Sequence, residues 1–370
     1  MGVNVNAQAG VDYNKLGVFK DRIVDMCGRT LDFPVQRGAK VYRNLLHAHG
    51  AVYEILGVLL CQTIEGLGNK DWIAEWMYQN AGTGLTYYRG IGIDVALAAV
   101  NDNIAQGAMP IIYTDEIAAG DSEWGTDTKR VDDLLAGFYE VCELVNMAIP
   151  AGESPSLRFL VNAAPPVKSA PSFSGCVVGV INPKSRLITG EKLRPGDIII
   201  GAKSTGLHAN GISPVIDLVM KLPEAFLTKV PGGKTVGEEA LIPTRSYVAL
   251  IEALFGAEVD IHALVPATGG GVAKVAFDKR DYTYRIHSWV RDIPVLFQFM
   301  REHGISIENC LSTFNWGIGY YIFVSPQDKD KALEAGTLAG YEVLEVGRVE
   351  EGERCVIFEP EGITLPPQES

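Results

Sequence analysis

The sequence has no long apolar run, and cysteine and histidine are scarce. Its strongest apolar run, Ile55–Cys61, spans seven residues, whereas a membrane helix needs about 18. The six cysteines form no CxxC pair, and the six histidines show no metal-binding spacing. These absences argue against a membrane span, a disulfide framework and a zinc site. The N-terminus has neither a basic start nor an apolar core, so we expect no secretory leader and a cytoplasmic protein.

The chain also has fewer basic than acidic residues. The chain has 32 Lys and Arg residues against 45 Asp and Glu residues, which gives a net charge of −13. A surface this acidic argues against binding to nucleic acid or to an anionic membrane. It still allows a locally positive pocket for a phosphorylated small molecule.

The composition is that of a globular protein with two domains. Hydrophobic residues make up 47% of the 370 positions, and a chain of this length usually folds as about two domains. Helical and strand patterns alternate, which predicts a mixed α/β fold. A proline-rich connector occupies residues 150–172, and an apolar strand follows at Cys176–Ile181. We therefore predict an N-terminal domain over residues 1–185, a C-terminal domain over 186–360 and a tail over 361–370.

Local patterns give further expectations in the N-terminal half. Residues 15–34 are predicted to form a helix, and Val52–Thr63 a single strand. A glycine-spaced turn is predicted over residues 84–94. A helix over Val95–Gln106 should follow, with Asp94 as a possible N-cap.

The segment Glu65–Lys70 has the composition of a phosphate-binding turn. Glycines allow a backbone to approach phosphates closely, and lysine supplies a positive charge. Glu65 offers hard oxygen ligands of the kind that Mg²⁺ prefers. The full P-loop pattern is missing, so a surface turn with a solvated Lys70 is the alternative.

A set of acidic and amide side chains predicts a metal site for a nucleotide. Asp94, Asn101 and Asp102 are spaced to share one helix face, and residues 95–100 between them are apolar. Carboxylates on a buried helix are costly unless a cation or another partner faces them. Asp115, at the end of a predicted short strand, and Glu153, in a loop, could join them around Mg²⁺. The alternative makes Asp94 a helix cap, Asp102 a solvated charge and Glu153 part of a plain surface loop.

Two glycine-rich turns in the C-terminal half predict anion sites. Ser204–Gly211 lies between a predicted strand and a predicted helix, and Thr268–Gly271 precedes another helix. Backbone N–H groups at such turns suit a phosphate or a carboxylate. His208 could pair with a phosphate or transfer a proton, although a single histidine is more often structural. The turn at Phe314–Gly319 could equally serve core packing.

The order of these motifs resembles the aminoimidazole ribonucleotide synthetase family, also called phosphoribosylformylglycinamidine cyclo-ligases. The most specific matches are STGLHANG at residues 204–211 and FNWGIG at 314–319. The full matching segments are AGVDY at 9–13, EGLGNK at 65–70, GIDVALAAVNDNIAQGAMPIIYTDEIA at 92–118, GE at 152–153, CVVGVI at 176–181, GDIIIGAKSTGLHANGIS at 196–213, PTRSYV at 243–248, TGGGVAKV at 268–275, FNWGIGYYIFV at 314–324 and VGRVEEG at 346–352. They follow the family order over nearly the whole chain.

The resemblance implies a fold, a partner and a reaction. It implies two α/β domains and a homodimer that pairs through the N-terminal sheets. It also implies ATP and Mg²⁺ as cofactors. The implied reaction belongs to purine biosynthesis: ATP phosphorylates the amide oxygen of formylglycinamidine ribonucleotide, and the amidine nitrogen then closes the imidazole ring.

The resemblance also assigns roles residue by residue. Catalytic roles fall to Lys70, Asp94 and His208. ATP-binding roles fall to Glu65, Gly66, Gly68, Lys70, Asn101, Asp102 and Asp115. Metal-binding roles fall to Glu65, Asp94, Asp102, Asp115 and Glu153. Substrate- or phosphate-binding roles fall to Ser204, Gly206, His208, Asn210, Thr268, Gly269, Gly270 and Gly271.

Departures from the family pattern leave other functions open. Pro266 stands where the family usually has histidine, so His262 or His208 would have to replace it in any proton transfer. Ser156 stands where the family has a second glutamate. Extra residues occur around 71–90 and 155–172. The alternatives are a paralogue of the same ATP-binding superfamily with another substrate, or a catalytically weakened nucleotide-binding regulator.

Overall fold

Two β-sheets, one in each half of the chain, organise the computed structural model, which describes residues 5–10, 13–43 and 49–367. The N-terminal sheet contains strands β1 (Ala39–Val41), β2 (Ala51–Ile55), β3 (Val58–Gly66), β4 (Met109–Ala118), β5 (Ala148–Glu153) and β6 (Ser172–Val180). Their order is β1-β2-β3-β6-β4-β5. Only β4 and β5 pair in parallel among these described strands.

Helices cover one face of the N-terminal sheet, and no described helix packs on the other face, which we call the open face. Helices of the N-terminal half are α1 (Val5–Gln8), α2 (Tyr13–Thr30), α3 (Lys70–Asn80), α4 (Tyr88–Asn103) and α5 (Thr128–Val145). Helix α4 packs on β3 and β6, and α5 packs on α4. Along β3, Leu59, Cys61 and Thr63 are therefore buried, whereas Gln62 and Ile64 face outward.

The C-terminal sheet is larger, and two of its strands are completely buried. It contains β7 (Ile198–Lys203), β8 (Ile261–Pro266), β9 (Tyr282–Ile286), β10 (Ile318–Val324), β11 (Val343–Glu351), β12 (Cys355–Phe358) and β13 (Ile363–Leu365). Their order is β13-β12-β9-β11-β7-β10-β8. Every residue of β8 and β10 is buried, and apart from His262 on β8 their side chains are apolar or aromatic. The predicted tail begins within this sheet, because β13 pairs with β12.

The remaining helices surround the C-terminal sheet or connect its strands. The α-helices are α6 (Ile212–Val219), α7 (Val236–Ala240), α8 (Val248–Gly256), α9 (Val295–Glu302), α10 (Ile307–Thr313) and α11 (Lys329–Leu338). Short 3-10 helices occur at Phe33–Arg37, Ile104–Gln106, Ser122–Thr126, Lys184–Arg186, Ala225–Leu227, Gly271–Ala276, Pro326–Asp328 and Glu359–Glu361. Within the described ranges, no helix is long and apolar enough to cross a membrane.

Two strand and helix predictions in the N-terminal half are wrong in their boundaries. Val52–Thr63 is not one strand, because the chain reverses at Leu56 and Gly57, which both have positive φ, and forms the β2–β3 hairpin. The predicted helix over residues 15–34 ends at Thr30, and the Pro34 segment forms a separate 3-10 helix.

The predicted turn over residues 84–94 is also wrong, because α4 begins at Tyr88 and continues through Asp94. Gly92 lies inside the helix, where a Cβ would collide with the Leu134 carbonyl oxygen of α5. The glycine therefore serves the close packing of two helices, and Asp94 is a helix-interior residue and not an N-cap.

Candidate active site

The buried carboxylate Asp94 joins the two domains. Its Oδ2 lies 2.7 Å from Lys70 Nζ, and both side chains have zero exposure. Its Oδ1 accepts hydrogen bonds from the backbone N–H (2.8 Å) and the hydroxyl of Thr244 in the C-terminal half. Lys70 Nζ also donates to the Ile242 carbonyl oxygen at 2.9 Å. We call Lys70, Asp94 and Thr244 the interdomain clasp.

The clasp changes the roles expected of Lys70 and Asp94. Burial raises the pKa of Asp94 and lowers the pKa of Lys70, while the attraction between the two opposes both shifts. Lys70 is neither a solvated surface residue nor a free phosphate ligand. Asp94 has a protein cation beside it, so the cost of burying its charge is met without a metal ion.

Asn101, seven residues after Asp94 on α4, also forms hydrogen bonds to the C-terminal half. Its amide nitrogen donates to the Arg245 carbonyl oxygen at 2.9 Å, and its amide oxygen accepts from the Tyr247 N–H at 3.1 Å. The Asn101 carbonyl oxygen accepts from the Tyr320 hydroxyl at 3.1 Å. The polar face of α4 predicted from the sequence exists, and much of it binds segment 243–247 of the C-terminal half.

A second charged cluster lies at the C-terminal end of α4. Asp102 Oδ2 is 3.4 Å from His49 Nδ1. Lys274, in the 3-10 helix that follows the glycine triplet, is near Glu65 and Asp102 and donates to the Thr268 hydroxyl. Burial raises the pKa of Glu65 to about 7 and that of Asp102 to about 6, while the Lys274 charge pulls both values down.

The five carboxylates predicted to bind Mg²⁺ do not form one centre. Asp94 belongs to the clasp, Glu65 and Asp102 share Lys274, and Asp115 lies inside β4 opposite Gly152. Glu153 ends β5, and its exposed carboxylate accepts from the Ser154 N–H at 3.0 Å. In the part of the chain that the structure describes, no three His, Cys, Asp or Glu side chains gather to hold a metal ion. The five carboxylates therefore do not converge on one metal ion.

The predicted anion loops of the C-terminal half meet α4 at a small cavity of about 20 Å³. Its lining consists of Leu97, Ala98, Asn101, His208, Ala209, Asn210, Thr244, Pro266, Ala267, Thr268 and Gly319. The cavity thus brings together the Ser204–Gly211 loop, the start of the glycine triplet and the polar face of α4. Pro266, in the position of the family histidine, lies on its wall.

His208, and not His262, is the histidine of this cavity. His208 is buried, and burial together with the Lys70 charge lowers its pKa to about 3. His262 lies four residues before Pro266 on β8, about 13 Å away along a strand. Its Nδ1 is 2.7 Å from Asp197 Oδ2, and its Nε2 is 3.3 Å from Asp260 Oδ2. His262 therefore cannot replace the histidine that Pro266 has displaced.

The motif FNWGIG holds the Ser204–Gly211 loop in place. The Asn315 amide oxygen accepts from the Ser204 hydroxyl at 3.0 Å, and its nitrogen donates to the Gly206 carbonyl oxygen at 2.7 Å. In the glycine triplet, Gly271 has φ of 59°, and a Cβ there would strike the backbone of Leu311 and Phe314. Ser204 and Gly271 therefore contribute to the shape of the site through packing.

A larger cavity of about 930 Å³ is lined by residues of both halves of the chain. Gly66, Gly68 and Asn69 form part of its N-terminal wall, and residues of the connector 160–171 line it as well. On the C-terminal side it is bordered by α6, whose Ser213 hydroxyl accepts from the Asn69 amide at 2.9 Å. The Ser204–Gly211 loop thus contributes residues 208–210 to the small cavity, and Ser213, two residues after the loop, lines the larger one.

Sequence reasoning missed several residues that build this site. Thr244, Lys274, Asn69 and Ser213 all lie within the matched motifs but had no assigned role. The sequence feature that could have pointed to them is their location, since each is a polar residue in or beside a glycine-rich or motif segment. Their contacts are long-range and have no periodicity in the sequence.

Comparison with known domain families identifies the two halves. Residues 49–181 match the family described as AIR synthase related protein, N-terminal domain, and residues 194–359 match its C-terminal domain. The chain belongs to the AIR synthase related family. The predicted family and its two-domain mixed α/β fold are confirmed, and the predicted domain boundary falls between the two matches.

Named relatives extend over almost the whole chain. The phosphoribosylformylglycinamidine cyclo-ligase of Thermococcus gammatolerans is 31% identical over 345 residues, covering 93% of this chain and 94% of the relative. The phosphoribosylformylglycinamidine cyclo-ligase of Pyrococcus horikoshii is 31% identical over 359 residues, which cover 97% of this chain and 99% of the relative.

Solved structures of more distant proteins share the fold. A chain of the HypE–HypF complex aligns with a TM-score of 0.58 at 17% identity, covering 87% of this chain and 93% of that one. AaThiL complexed with AMPPCP and TMP aligns with a TM-score of 0.58 at 16% identity, and the alignment covers 92% of this chain and 93% of AaThiL. At these identities the likeness concerns the fold alone.

Proposed function

We propose that the chain is an ATP-dependent cyclo-ligase that converts formylglycinamidine ribonucleotide to aminoimidazole ribonucleotide in purine biosynthesis. The observation that carries the proposal is the near full-length relationship to cyclo-ligases at about 30% identity. The convergence of the two anion loops and α4 on one interdomain site supports it.

The proposed reaction has two steps. The formyl amide oxygen attacks the γ-phosphorus of ATP, and ADP leaves. The amidine nitrogen then attacks the formyl carbon, and the oxygen departs as part of inorganic phosphate while a proton is released. An amide oxygen leaves poorly and a phosphate leaves well, which is why ATP is needed. Ring closure is intramolecular, so holding the two ends together supplies much of the rate.

The site suits this chemistry because it offers positioning and neutral donors. The larger cavity would hold the ribonucleotide between Gly66, Gly68 and Asn69 on one side and α6 on the other. Asn210 and Thr268 line the small cavity, and with the neighbouring Gly206 and Gly269–Gly271 they would face the transferred phosphoryl group. Phosphoryl transfer depends on such alignment and charge stabilisation more than on a protein nucleophile. Lys70 and Asp94 act here through the clasp, as positioning residues.

Magnesium enters this proposal only as part of the MgATP substrate. The five carboxylates predicted to bind the metal are separated from one another: Asp94 lies beside Lys70, Glu65 and Asp102 lie near Lys274, and Asp115 and Glu153 lie on β4 and β5. We therefore assign no step to a metal ion held by the protein. Asn101, Asp102 and Glu65 remain proposed neighbours of the nucleotide.

We also propose that two copies pair through the open face of the N-terminal sheet. Ile64 is 71% exposed there. It lies opposite Cys176, while Leu60 lies opposite Val180 and Ile112 opposite Val178. A row of apolar side chains on an uncovered sheet face favours a partner that buries it.

The function is tested by incubating the purified protein with MgATP, with and without formylglycinamidine ribonucleotide. We expect ADP release that depends on the ribonucleotide, together with one aminoimidazole ribonucleotide per ADP, measured by mass spectrometry. ATP binding without ring formation would refute the cyclo-ligase.

A paralogue with another substrate is the second candidate, and Pro266 is the observation that favours it. Proline on the wall of the small cavity has no polar side-chain atom, so the site has lost a group that the family usually has there. Other ribonucleotide amides tested in the same ADP-release assay would separate the two candidates.

A further inference from the structure

The imidazole of His208 is held in one orientation. Its backbone is left-handed, with φ of 59°, and the residue is 6% exposed. The Thr205 N–H points at Nε2 with an N–N distance of 3.4 Å. On the other side, Cε1 faces Gly319, where a Cβ would stand only 2.7 Å away. The ring has little freedom to rotate.

This orientation selects one tautomer. Because Nε2 receives an N–H donor, it must carry a lone pair, and a neutral imidazole then has its proton on Nδ1. Among the described residues, Nδ1 makes no hydrogen bond, and it is not sealed from water. The adjoining cavity of about 20 Å³ is large enough for one water molecule or one ligand oxygen, which needs about 10–15 Å³.

We propose that His208 is a permanently neutral hydrogen-bond donor whose Nδ1–H binds one oxygen of the transferred phosphoryl group. This assignment rests on the proposed function and refines it, because His208 then neither accepts nor releases a proton. The chemical group recognised is a phosphoryl oxygen.

The surroundings of His208 support a neutral donor. Lys70 is the charged group near it, and a second positive charge on the ring would be repelled. Asp94 is already paired with Lys70, and the Tyr247 ring lies 6.3 Å away between centroids. Burial and Lys70 keep the pKa near 3, so the imidazole stays neutral throughout the physiological range. The other polar side chains around the cavity, Asn101, Asn210, Thr244 and Thr268, are also uncharged.

The tautomer is tested by ¹⁵N NMR on the full-length protein labelled at histidine, with the His208 signals assigned by their loss in His208→Asn. We expect a protonated Nδ1, a bare Nε2 and no titration between about pH 5 and pH 9, although a free imidazole titrates near 6.5. Inorganic phosphate, added with ADP, should shift the Nδ1 signal. A protonated Nε2, a titration near pH 6–7, or no response to phosphate would each overturn the proposal.

Two matched variants test the same point by activity. His208→Asn places an amide N–H near the position of Nδ1 and tolerates left-handed backbone, whereas His208→Gln places it near Nε2. We expect His208→Asn to keep kcat within about tenfold, and His208→Gln to lose the roughly 10²–10³-fold typical of a missing oxyanion donor. Equal activity of the two variants, or a wild-type pH limb near 6–7 that His208→Asn lacks, would refute it.

The two proposals fail in different ways. If the wild-type protein forms no aminoimidazole ring, the proposed function falls, while the NMR spectra still decide whether His208 is a neutral donor that responds to phosphate. Thermal unfolding of both variants shows whether any loss of activity comes from misfolding.

Discussion

At the scale of single residues, Asp94, one of the five carboxylates predicted to bind a metal ion, is paired instead with the buried Lys70. The spacing of Asp94, Asn101 and Asp102 correctly indicated a polar helix face that needs partners. It did not indicate which partners, because Thr244 is 150 positions away from Asp94 in the chain. A buried carboxylate is equally well explained by a metal ion or by an ammonium group until the fold is known.

The clasp gives a direct test of this pairing. Asp94→Asn would leave the Lys70 ammonium buried without its counter-charge, and we expect the free energy of unfolding to fall by about 3–5 kcal/mol. Chemical denaturation measures it. Glu153→Gln, at a predicted metal ligand that is exposed, is the matched control and should change the stability by less than about 0.5 kcal/mol. Equal effects at both positions would contradict the clasp.

His262 gives a pH-dependent prediction. Its hydrogen bond to Asp197 raises its pKa in the folded protein. The protonated ring therefore adds stability that is complete below the unfolded pKa of about 6.5 and is lost as the pH rises through the folded value. His262→Gln should remove this component, so the stability difference between wild type and variant should shrink from about pH 6 to pH 9. A difference that is constant or grows over this range, measured by urea unfolding, would refute the assignment.

At the scale of elements, the continuous apolar pattern at Cys176–Ile181 correctly predicted a strand, which the structure places at Ser172–Val180. Predictions from local patterns failed where contacts with other elements determine whether a segment forms a helix or a turn. The glycines at residues 90 and 92 indicated a turn, yet both lie inside α4, where Gly92 packs against α5 and Gly90 against Leu241 and Pro243 of the C-terminal half. The strand at Val52–Thr63 looked continuous because its hairpin turn, Leu56–Gly57, contains an apolar residue.

The packing of α4 on α5 is tested by glycine substitutions in two helices. Gly92→Ala places a methyl group against the Leu134 carbonyl oxygen, and we expect a loss of stability of about 1–3 kcal/mol from overpacking. Gly28→Ala in α2 meets nothing within 4 Å and should be neutral or stabilising by up to about 1 kcal/mol. Thermal unfolding of both variants measures this, and a neutral Gly92→Ala would contradict the close contact.

At the scale of the whole molecule, motif order was the strongest signal in the sequence. Segments scattered over nearly 350 positions indicated the family, and family matches at residues 49–181 and 194–359 confirm it. The sequence also singled out the loops around His208 and Thr268 that the structure brings together at the small cavity. The division of the acidic residues among separate clusters depends on how the two domains pack, which no local pattern encodes.

Pairing of two copies is a prediction at this same scale. Ile64→Lys would place a charge in the open sheet face, and we expect it to convert a dimer to a monomer in sedimentation velocity experiments because burying an unpaired charge is unfavourable. Leu338→Lys, on the exposed surface of α11, is the matched control and should leave the dimer intact. A wild-type monomer, or an Ile64→Lys dimer, would contradict pairing through this face.

The central claim is that ATP activates the substrate by phosphorylating its amide oxygen. The most direct measurement uses formylglycinamidine ribonucleotide labelled with ¹⁸O at the formyl oxygen, followed by mass analysis of the phosphate released. We expect one ¹⁸O atom in each inorganic phosphate and an equal amount of aminoimidazole ribonucleotide. Ring formation accompanied by unlabelled phosphate, or ADP formation without the ring, would contradict the account.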